Sequence, residues 1–199
     1  MPDTTRTFIA VAVPATLELK LTRLQAQLSG EAPDARWEVA MPFHVTLAFL
    51  GDVDHVALND VCLAVAEASA PCERFDLKLE GLGAFPDPAR PRVVWAGVGG
   101  AGVEALKALQ ADVTAAVARL DYRPEARPFH AHVTLGRFPP GRRPARDLTN
   151  VVSHYRTWHA GPFEVAEAVT FGSSPSREGP VYAPLGRAPL RGRKASTSP

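Results

Sequence analysis

Two short stretches of the sequence carry the same polar residues at the same spacing. The segment FHVTLAFL spans residues 43–50, and FHAHVTLGRF spans residues 129–138; each places a histidine two residues before a threonine in an apolar run. A polar side chain on a buried strand costs free energy unless it is hydrogen-bonded or takes part in chemistry. The repeat therefore yields four candidate functional residues: His44, Thr46, His132 and Thr134.

Imidazole and hydroxyl groups in this arrangement suit phosphoryl chemistry. Side chains alternate between the faces of a strand, so each histidine shares a face with its own threonine. Imidazole has an ordinary pKa of about 6.5, so near neutral pH one histidine accepts a proton while another donates one. Each such role contributes roughly 10²–10⁴ in rate. Threonine hydroxyls can donate to phosphate oxygens, so two converging strands would hold one phosphorus between two rings.

Strand alternation also predicts which neighbours share the face of the histidines. In the first strand it places Ala48 beside His44, and it places Phe49 on the opposite, apolar face. In the second strand, Arg137 has the opposite parity to His132. We therefore expect Arg137 to point away from the site unless the strand bends or ends before it.

Two other interpretations of the histidines were weighed against this one. A single histidine on a strand is usually a hydrogen-bonded structural residue, but two equivalent His–Thr pairs favour a functional role. His130 and His132 also share a strand face, which is compatible with metal binding. Zinc sites use three or four ligands at recognisable spacing, and the sequence contains no CxxC or HExxH motif. We expect no metal.

The composition limits the classes of partner. The chain has 199 residues, and its 22 Lys and Arg residues against 21 Asp and Glu residues leave a formal charge of +1. No overall field attracts nucleic acid or a membrane, so any contact with RNA must depend on a local patch. The start of the sequence does not resemble a signal peptide, and no apolar run approaches the ~20 residues of a membrane span. We expect a soluble, cytoplasmic monomer.

The elements that must position the two motifs recur in the same order. Strand, helix, HVTL strand, helix and strand follow one another over about residues 5–88 and again over 91–186. This order predicts an α+β fold of two lobes that arose by internal duplication, within one domain of residues 1–186. Residues 187–199 are basic and lack periodicity, which predicts a disordered tail.

The paired motifs resemble those of the 2H phosphoesterase superfamily. The wider sequence is similar to its RNA 2′,3′-cyclic phosphodiesterase branch, formerly called 2′-5′ RNA ligase (LigT-like). Besides the two HxTx motifs, the likeness includes TRTFIAVAVP near the start, LEGLGAFPDPARPRVVWAGV in the middle and SSPSREGPVYAPLGRAPL near the end. It covers nearly the whole chain. It implies a two-lobed fold in which antiparallel sheets line a central groove and the helices lie outside.

The resemblance also implies a role for each site residue. It implies that His44 donates a proton to the leaving 3′-oxygen and that His132 accepts a proton from water. Thr46 and Thr134 correspond to the threonines that contact the phosphate, and Arg137 falls where relatives often have an arginine near it. The implied substrate is an RNA 3′ end or a nucleotide with a 2′,3′-cyclic phosphate. The implied product is a terminal 2′-phosphate, and no cofactor is expected.

The sequence leaves two alternatives to this function open. One is a non-catalytic module that binds RNA ends or nucleotides on the same scaffold. The other is a 2H enzyme that acts on 2′-5′ linkages or on other cyclic phosphates. In addition, residues 137–146 contain four arginines directly after the second motif. They are either a solvated turn or a rim that guides the phosphates of an RNA end.

Overall fold

A computed structural model describes residues 3–39, 42–123, 128–139, 146–177 and 179–192. Within these residues the chain forms nine strands and four α-helices. The strands are β1 (Thr4–Ala12), β2 (Arg36–Trp37), β3 (His44–Asp54), β4 (Phe75–Phe85), β5 (Val93–Gly99), β6 (His132–Arg137), β7 (His159–Val165), β8 (Glu167–Ser176) and β9 (Gly179–Pro189). The helices are α1 (Ala15–Leu28), α2 (Leu58–Ser69), α3 (Val103–Ala118) and α4 (Thr149–His154).

The nine strands form one antiparallel sheet that is divided into two lobes. Eight of them follow the order β7-β4-β5-β6-β3-β1-β8-β9, and β2 pairs with β6. At the centre of this order, β3 and β6 meet through a single described pair, Val45 with Val133. We call β3, β1, β8 and β9 the first lobe, and β6, β5, β4 and β7 the second lobe. The predicted two-lobed α+β fold with antiparallel strands is confirmed.

The two lobes do not coincide with the two halves of the sequence. Strand β4 belongs to the predicted half 5–88, yet it pairs with β5 and β7 in the second lobe. Strands β8 and β9 belong to the half 91–186, yet β8 pairs with β1 in the first lobe. A sequence repeat gives the order of elements but not the hydrogen-bonding partner of each strand. The duplication itself stays a prediction.

Amphipathic helices cover the side of the sheet that faces the core. Helix α1 buries four leucines at helical spacing: Leu17, Leu21, Leu24 and Leu28. Helix α3 buries a matching stripe: Leu106, Leu109, Val113 and Val117. Burying each such side chain contributes about 1.5–3 kcal/mol. Both stripes join one apolar cluster with Val45 and Val133. Because this face of β3 and β6 is covered, their polar side chains face the groove between the lobes.

The predicted disordered tail begins too early. Strand β9 continues to Pro189, and Ala188 pairs with Ala168 on β8. Ala188 is buried, and Leu190 is buried as well, with its N–H donated to the carbonyl of Ala166. These alternating apolar residues extend the last strand into the core, so the prediction is wrong for residues 187–190. Residues 193–199 lie outside the described residues.

Candidate active site

The pair that joins the two lobes sets the geometry of the site. The side chains of Val45 and Val133 are both completely buried on the core side of the sheet. Alternate residues of a strand point to opposite faces, so the residues on either side of these valines face the groove. Those residues are the four that the sequence predicted: His44, Thr46, His132 and Thr134.

The antiparallel register places the two histidines at opposite corners of a small square. When the Val45 pairing is extended by one residue in each direction, His44 lies across from Thr134 and Thr46 lies across from His132. Diagonal neighbours in such a pair are separated by about 7–8 Å. Both imidazole rings can therefore reach a single phosphate group that lies above the square.

Each imidazole is held by the same type of backbone hydrogen bond. Nδ1 of His44 lies 3.0 Å from the carbonyl oxygen of Pro42, and Nδ1 of His132 lies 2.7 Å from that of His130. A carbonyl oxygen only accepts hydrogen bonds, so each Nδ1 carries the proton. In the neutral ring, Nε2 is then the unprotonated nitrogen. The two bonds fix the same tautomer in both histidines and leave Nε2 of each ring available for proton transfer.

Aromatic rings pack against both histidines. The ring of Phe8 lies 4.9 Å from that of His44, and Tyr182 meets His44 edge-on at 5.2 Å. Phe85 meets His132 edge-on at 5.0 Å. These rings remove water from one side of each imidazole and limit its rotation.

Burial lowers the pKa of both histidines below the ordinary value of 6.5. Desolvation is the main cause for His44; its bond to Pro42 opposes the shift, and the charge of Arg137 adds to it. Desolvation is also the main cause for His132, and the positive charges of His130, Arg137 and His44 lower its pKa further. Because the charge of one ring lowers the pKa of the other, the site favours one protonated and one neutral histidine over two protonated ones.

A β-bulge interrupts the second motif directly after its threonine. Thr134 pairs with Trp95 on β5, whereas Gly136 pairs with the preceding residue, Val94. Leu135 is therefore an extra residue on β6. An extra residue shifts the alternation of side chains by one position and bends the strand.

This bulge turns Arg137 into the groove. Strand alternation predicted that Arg137 points away from His132 unless the strand bends, and the bulge supplies that bend. Arg137 lines the same cavity as Thr134 and His44. Its charge also acts on both histidines, as the pKa shifts indicate.

The first motif contains the equivalent bulge, which reverses two predicted faces. The register of β3 against β1 shifts by one residue at Leu47. After this shift, Ala48 is only 4% exposed and belongs to the core, whereas Phe49 is 46% exposed and lines the cavity. The predictions that Ala48 lies beside His44 and that Phe49 faces the core are both wrong. The bulge exchanged the two positions.

A glutamine from a helix holds the carbonyl group at each bulge. Gln25 of α1 donates from Nε2 to the carbonyl oxygens of Leu135 at 2.8 Å and of Glu38 at 2.9 Å. Gln110 of α3 donates to the carbonyl oxygen of Leu47 at 3.2 Å. Sequence reasoning missed both glutamines, because glutamine on a helix normally indicates a solvated face. Their partners lie on strands that are distant in sequence.

A cavity of about 1060 Å³ opens beside His44. Its walls come mainly from the first lobe, and from the second lobe they include Thr134 and Arg137. His132 is one corner of the square, but it does not line this cavity. The lining residues that were not predicted from the sequence include Arg6, Phe8 and Tyr182. Arg6 and Phe8 share one face of β1, which is a pattern that strand alternation alone can reveal.

The arginine cluster after the second motif is only partly described. Arg137 lines the cavity. Arg146 instead lies 3.7 Å from a carboxylate oxygen of Glu31 and does not line the cavity. Arg142 and Arg143 lie outside the described residues, so the predicted RNA rim stays a prediction.

The described residues do not assemble a metal-ligand cluster. The rings of His130 and His132 have centroids 6.3 Å apart. Within the described part of the chain, no group of three or more His, Cys, Asp or Glu side chains is placed to hold a metal ion. No described helix is long and apolar enough to cross a membrane.

Comparison with known proteins gives consistent matches over most of the chain. The family model described as LigT like Phosphoesterase matches residues 11–95 and 100–182. An RNA 2′,3′-cyclic phosphodiesterase from Aeropyrum pernix is 38% identical over 166 residues, which are 83% of this chain and 92% of that protein. One from Archaeoglobus fulgidus is 32% identical over 180 residues, covering 90% of this chain and 97% of the relative.

A solved structure matches the fold as well. The crystal structure of E. coli LigT complexed with 3′-AMP superposes with a TM-score of 0.74 at 27% sequence identity. The match covers 94% of this chain and 98% of the E. coli chain.

Proposed function

Because the chain belongs to the LigT-like phosphoesterase family, we propose that it hydrolyses terminal 2′,3′-cyclic phosphates on RNA or nucleotides without a metal, leaving a 2′-phosphate. The observation that carries the proposal is the matched pair of histidines, each with Nδ1 bonded to a backbone carbonyl and Nε2 available. The names of the relatives, RNA 2′,3′-cyclic phosphodiesterase, support the choice of substrate. A monomeric state and a cytoplasmic location remain part of the proposal.

Proton transfer in this proposal uses the two histidines in opposite protonation states. Neutral His132 accepts a proton at Nε2 from a water molecule as the water oxygen attacks phosphorus. Protonated His44 donates its Nε2 proton to the 3′-oxygen as the bond between that oxygen and phosphorus breaks. The products are a 2′-phosphate and a 3′-hydroxyl group. His132 is then protonated by the proton from water, His44 is neutral because its proton is on the 3′-hydroxyl, and proton exchange with solvent restores the starting state. Each role is worth about 10²–10⁴ in rate.

The remaining groups of the square orient the phosphate. The hydroxyls of Thr46 and Thr134 donate to its non-bridging oxygens, one from each lobe. Arg137 lines the cavity beside Thr134, and its guanidinium stabilises the negative charge that builds on these oxygens. Holding phosphorus between two rings from different lobes keeps water and the leaving oxygen on opposite sides of it.

The test is an assay of the purified wild-type protein on a small panel of substrates. The panel contains 2′,3′-cyclic AMP, a short RNA ending in a 2′,3′-cyclic phosphate, and a 2′-5′-linked dinucleotide. We expect hydrolysis of the first two, with phosphorus NMR identifying a 2′-phosphate, and unchanged rates in the presence of EDTA. Loss of activity with EDTA that returns with added metal would contradict the metal-independent mechanism.

The same panel separates the alternatives that the sequence left open. Tight binding of the cyclic-phosphate RNA without any product would indicate a non-catalytic binding module. Turnover confined to the 2′-5′ dinucleotide would indicate a different 2H specificity. Formation of a 3′-phosphate would show that the 2′-oxygen leaves instead, and would overturn the proposed geometry of attack.

A further inference from the structure

The groove face of the first lobe carries a row of aromatic rings beyond the histidine. On β1, Phe8 pairs with Phe49 on β3 and with Phe171 on β8. The ring centroids of these two pairs lie 5.7 and 5.3 Å apart. Phe171 is buried, but nearly half of Phe49 is exposed in the cavity. The row therefore offers a partly open aromatic surface next to the square of catalytic residues.

A row of polar side chains lies two residues nearer the start of β1 than the aromatic row. Arg6 pairs with Asp52 on β3 and with Ser173 on β8, and Ser173 pairs with Tyr182 on β9. All four side chains line the cavity. Arg6 is exposed, and the ion pairs found among the described residues do not include it. Its guanidinium is thus available to a ligand.

Arg6 supplies a second positive charge to the cavity, separate from that of Arg137. Burial and the charge of Glu38 raise the pKa of Tyr182, while the charges of Arg137 and Arg6 oppose this rise. Both guanidinium groups therefore act on the same hydroxyl group from within the cavity. Two carboxylates, Glu38 and Asp52, also line the walls, so the cavity has no general excess of positive charge. An anion is attracted locally, at each arginine.

The backbone of Arg6 lies well along β1 from the square of His44, Thr46, His132 and Thr134. Ala10 pairs with Thr46, and Arg6 lies four positions from Ala10 on the same strand. At about 3.4 Å per residue their Cα atoms are ~14 Å apart. A backbone separation of this size favours contact between Arg6 and a phosphate other than the one between the histidines. The exposed ring of Phe49 lies between the two positions, where a base can stack on it.

We propose that Arg6 binds the phosphate of a nucleotide upstream of the cyclic end, so that the enzyme prefers oligonucleotide ends to cyclic mononucleotides. This inference rests on the proposed function, because it extends the same cavity from the reacting phosphate to the next part of the chain. Because most of the cavity lining belongs to the first lobe, the RNA upstream of the cyclic end would extend from the square across the first lobe. Ser173 and Tyr182 supply hydroxyl donors beside the guanidinium.

The test compares wild type with Arg6→Gln on two substrates. One is 2′,3′-cyclic AMP, and the other is a trinucleotide with a 2′,3′-cyclic phosphate. We expect Arg6→Gln to lower kcat/KM for the trinucleotide about tenfold, as for one charge-assisted hydrogen bond, and to leave the mononucleotide within about twofold. Replacing the internal phosphates by uncharged methylphosphonates should lower the wild-type rate equally and abolish the effect of the substitution. Arg187→Gln, on β9 and paired with Glu167, is the matched control.

A binding measurement separates this inference from the proposed function. Calorimetry measures the binding of two product ligands, a trinucleotide ending in a 2′-phosphate and 2′-AMP, and does not depend on turnover. We expect Arg6→Gln to weaken trinucleotide binding about tenfold and 2′-AMP binding less than twofold. Equal losses for both ligands, or no loss for the trinucleotide, would overturn the role of Arg6. If the wild type hydrolysed neither substrate, the proposed function would fail, while the calorimetry would still decide whether Arg6 binds an upstream phosphate.

Discussion

The strands β3 and β6 share one backbone design but present different residues to the groove. In both, the histidine bonds through Nδ1 to the carbonyl two residues earlier, and a bulge follows the threonine. At the second position after the bulged leucine, β6 carries Arg137 and β3 carries Phe49. The matched parts are those that the proposed acid and base roles both require. The unmatched position gives the site one charged side and one aromatic side.

This difference explains how a nearly symmetric frame can act on an asymmetric substrate. A cyclic phosphate has two ester oxygens, and the enzyme must protonate one of them and not the other. Two equivalent histidines do not make that choice by themselves. In the proposed function the residues beyond the bulges do: Arg137 would attract the phosphate oxygens, whereas the exposed ring of Phe49 would offer apolar surface to a base or sugar. This asymmetry would orient the substrate between the lobes.

The largest effect is expected from removing either member of the matched pair. His44→Ala and His132→Ala should each lower kcat by about 10²–10⁴, because each removes one proton transfer. The double variant should lose little more than the worse single variant, since the two histidines act as one unit. Turnover of 2′,3′-cyclic AMP measures both. Circular dichroism melting checks that the variants fold, and a fully active single variant would contradict the mechanism.

The unmatched position should give a smaller and divided effect. Arg137→Gln removes a charge-assisted bond to the phosphate and should lower kcat about 10- to 100-fold. Phe49→Leu removes only aromatic surface, so it should raise KM about fivefold and leave kcat nearly unchanged. Steady-state kinetics on the same substrate separates these outcomes. A kcat defect in Phe49→Leu as large as that of Arg137→Gln would remove the proposed division between charged and aromatic sides.

The bulges also mark the limit of what the sequence could predict. Strand alternation correctly placed the four polar residues of the square on one face, because it holds over the three residues from His44 to Thr46 and again from His132 to Thr134. Alternation fails one residue later. The extra residue depends on hydrogen bonds from β1 and β5, which the local sequence does not encode.

The position of β4 in the second lobe was not predicted for a similar reason. Strand partners are chosen by the whole sheet, and the repeat showed only the order of the elements. The cavity wall of Arg6 and Tyr182 likewise requires β1 and β9 to lie on either side of β8. By contrast, the leucine stripe of α1 depends on helical spacing alone, which the sequence shows directly.

The glutamines that hold the two bulges provide a comparison in stability. Gln25 is nearly buried and donates to two carbonyl groups, so Gln25→Leu should destabilise the fold by about 1–3 kcal/mol. Gln110 is less buried and makes one longer bond to the bulge, so Gln110→Leu should cost only about 0.5–1.5 kcal/mol. Urea unfolding of both variants measures the difference. The larger loss in Gln110→Leu would show that the two bulges are not held in the same way.

The smallest effect concerns His130, which makes the surroundings of His44 and His132 unequal. Its charge is among the causes that lower the pKa of His132, whereas no such cause acts on His44. His130→Gln keeps the backbone carbonyl that holds His132 but removes this charge, so the pKa of His132 should rise. If His132 is the base, it must be unprotonated to act, and the acid limb of the kcat/KM profile should move to higher pH. The alkaline limb, set by His44, should stay in place. Movement of the alkaline limb instead would show that His132 is the acid and would exchange the two proposed roles.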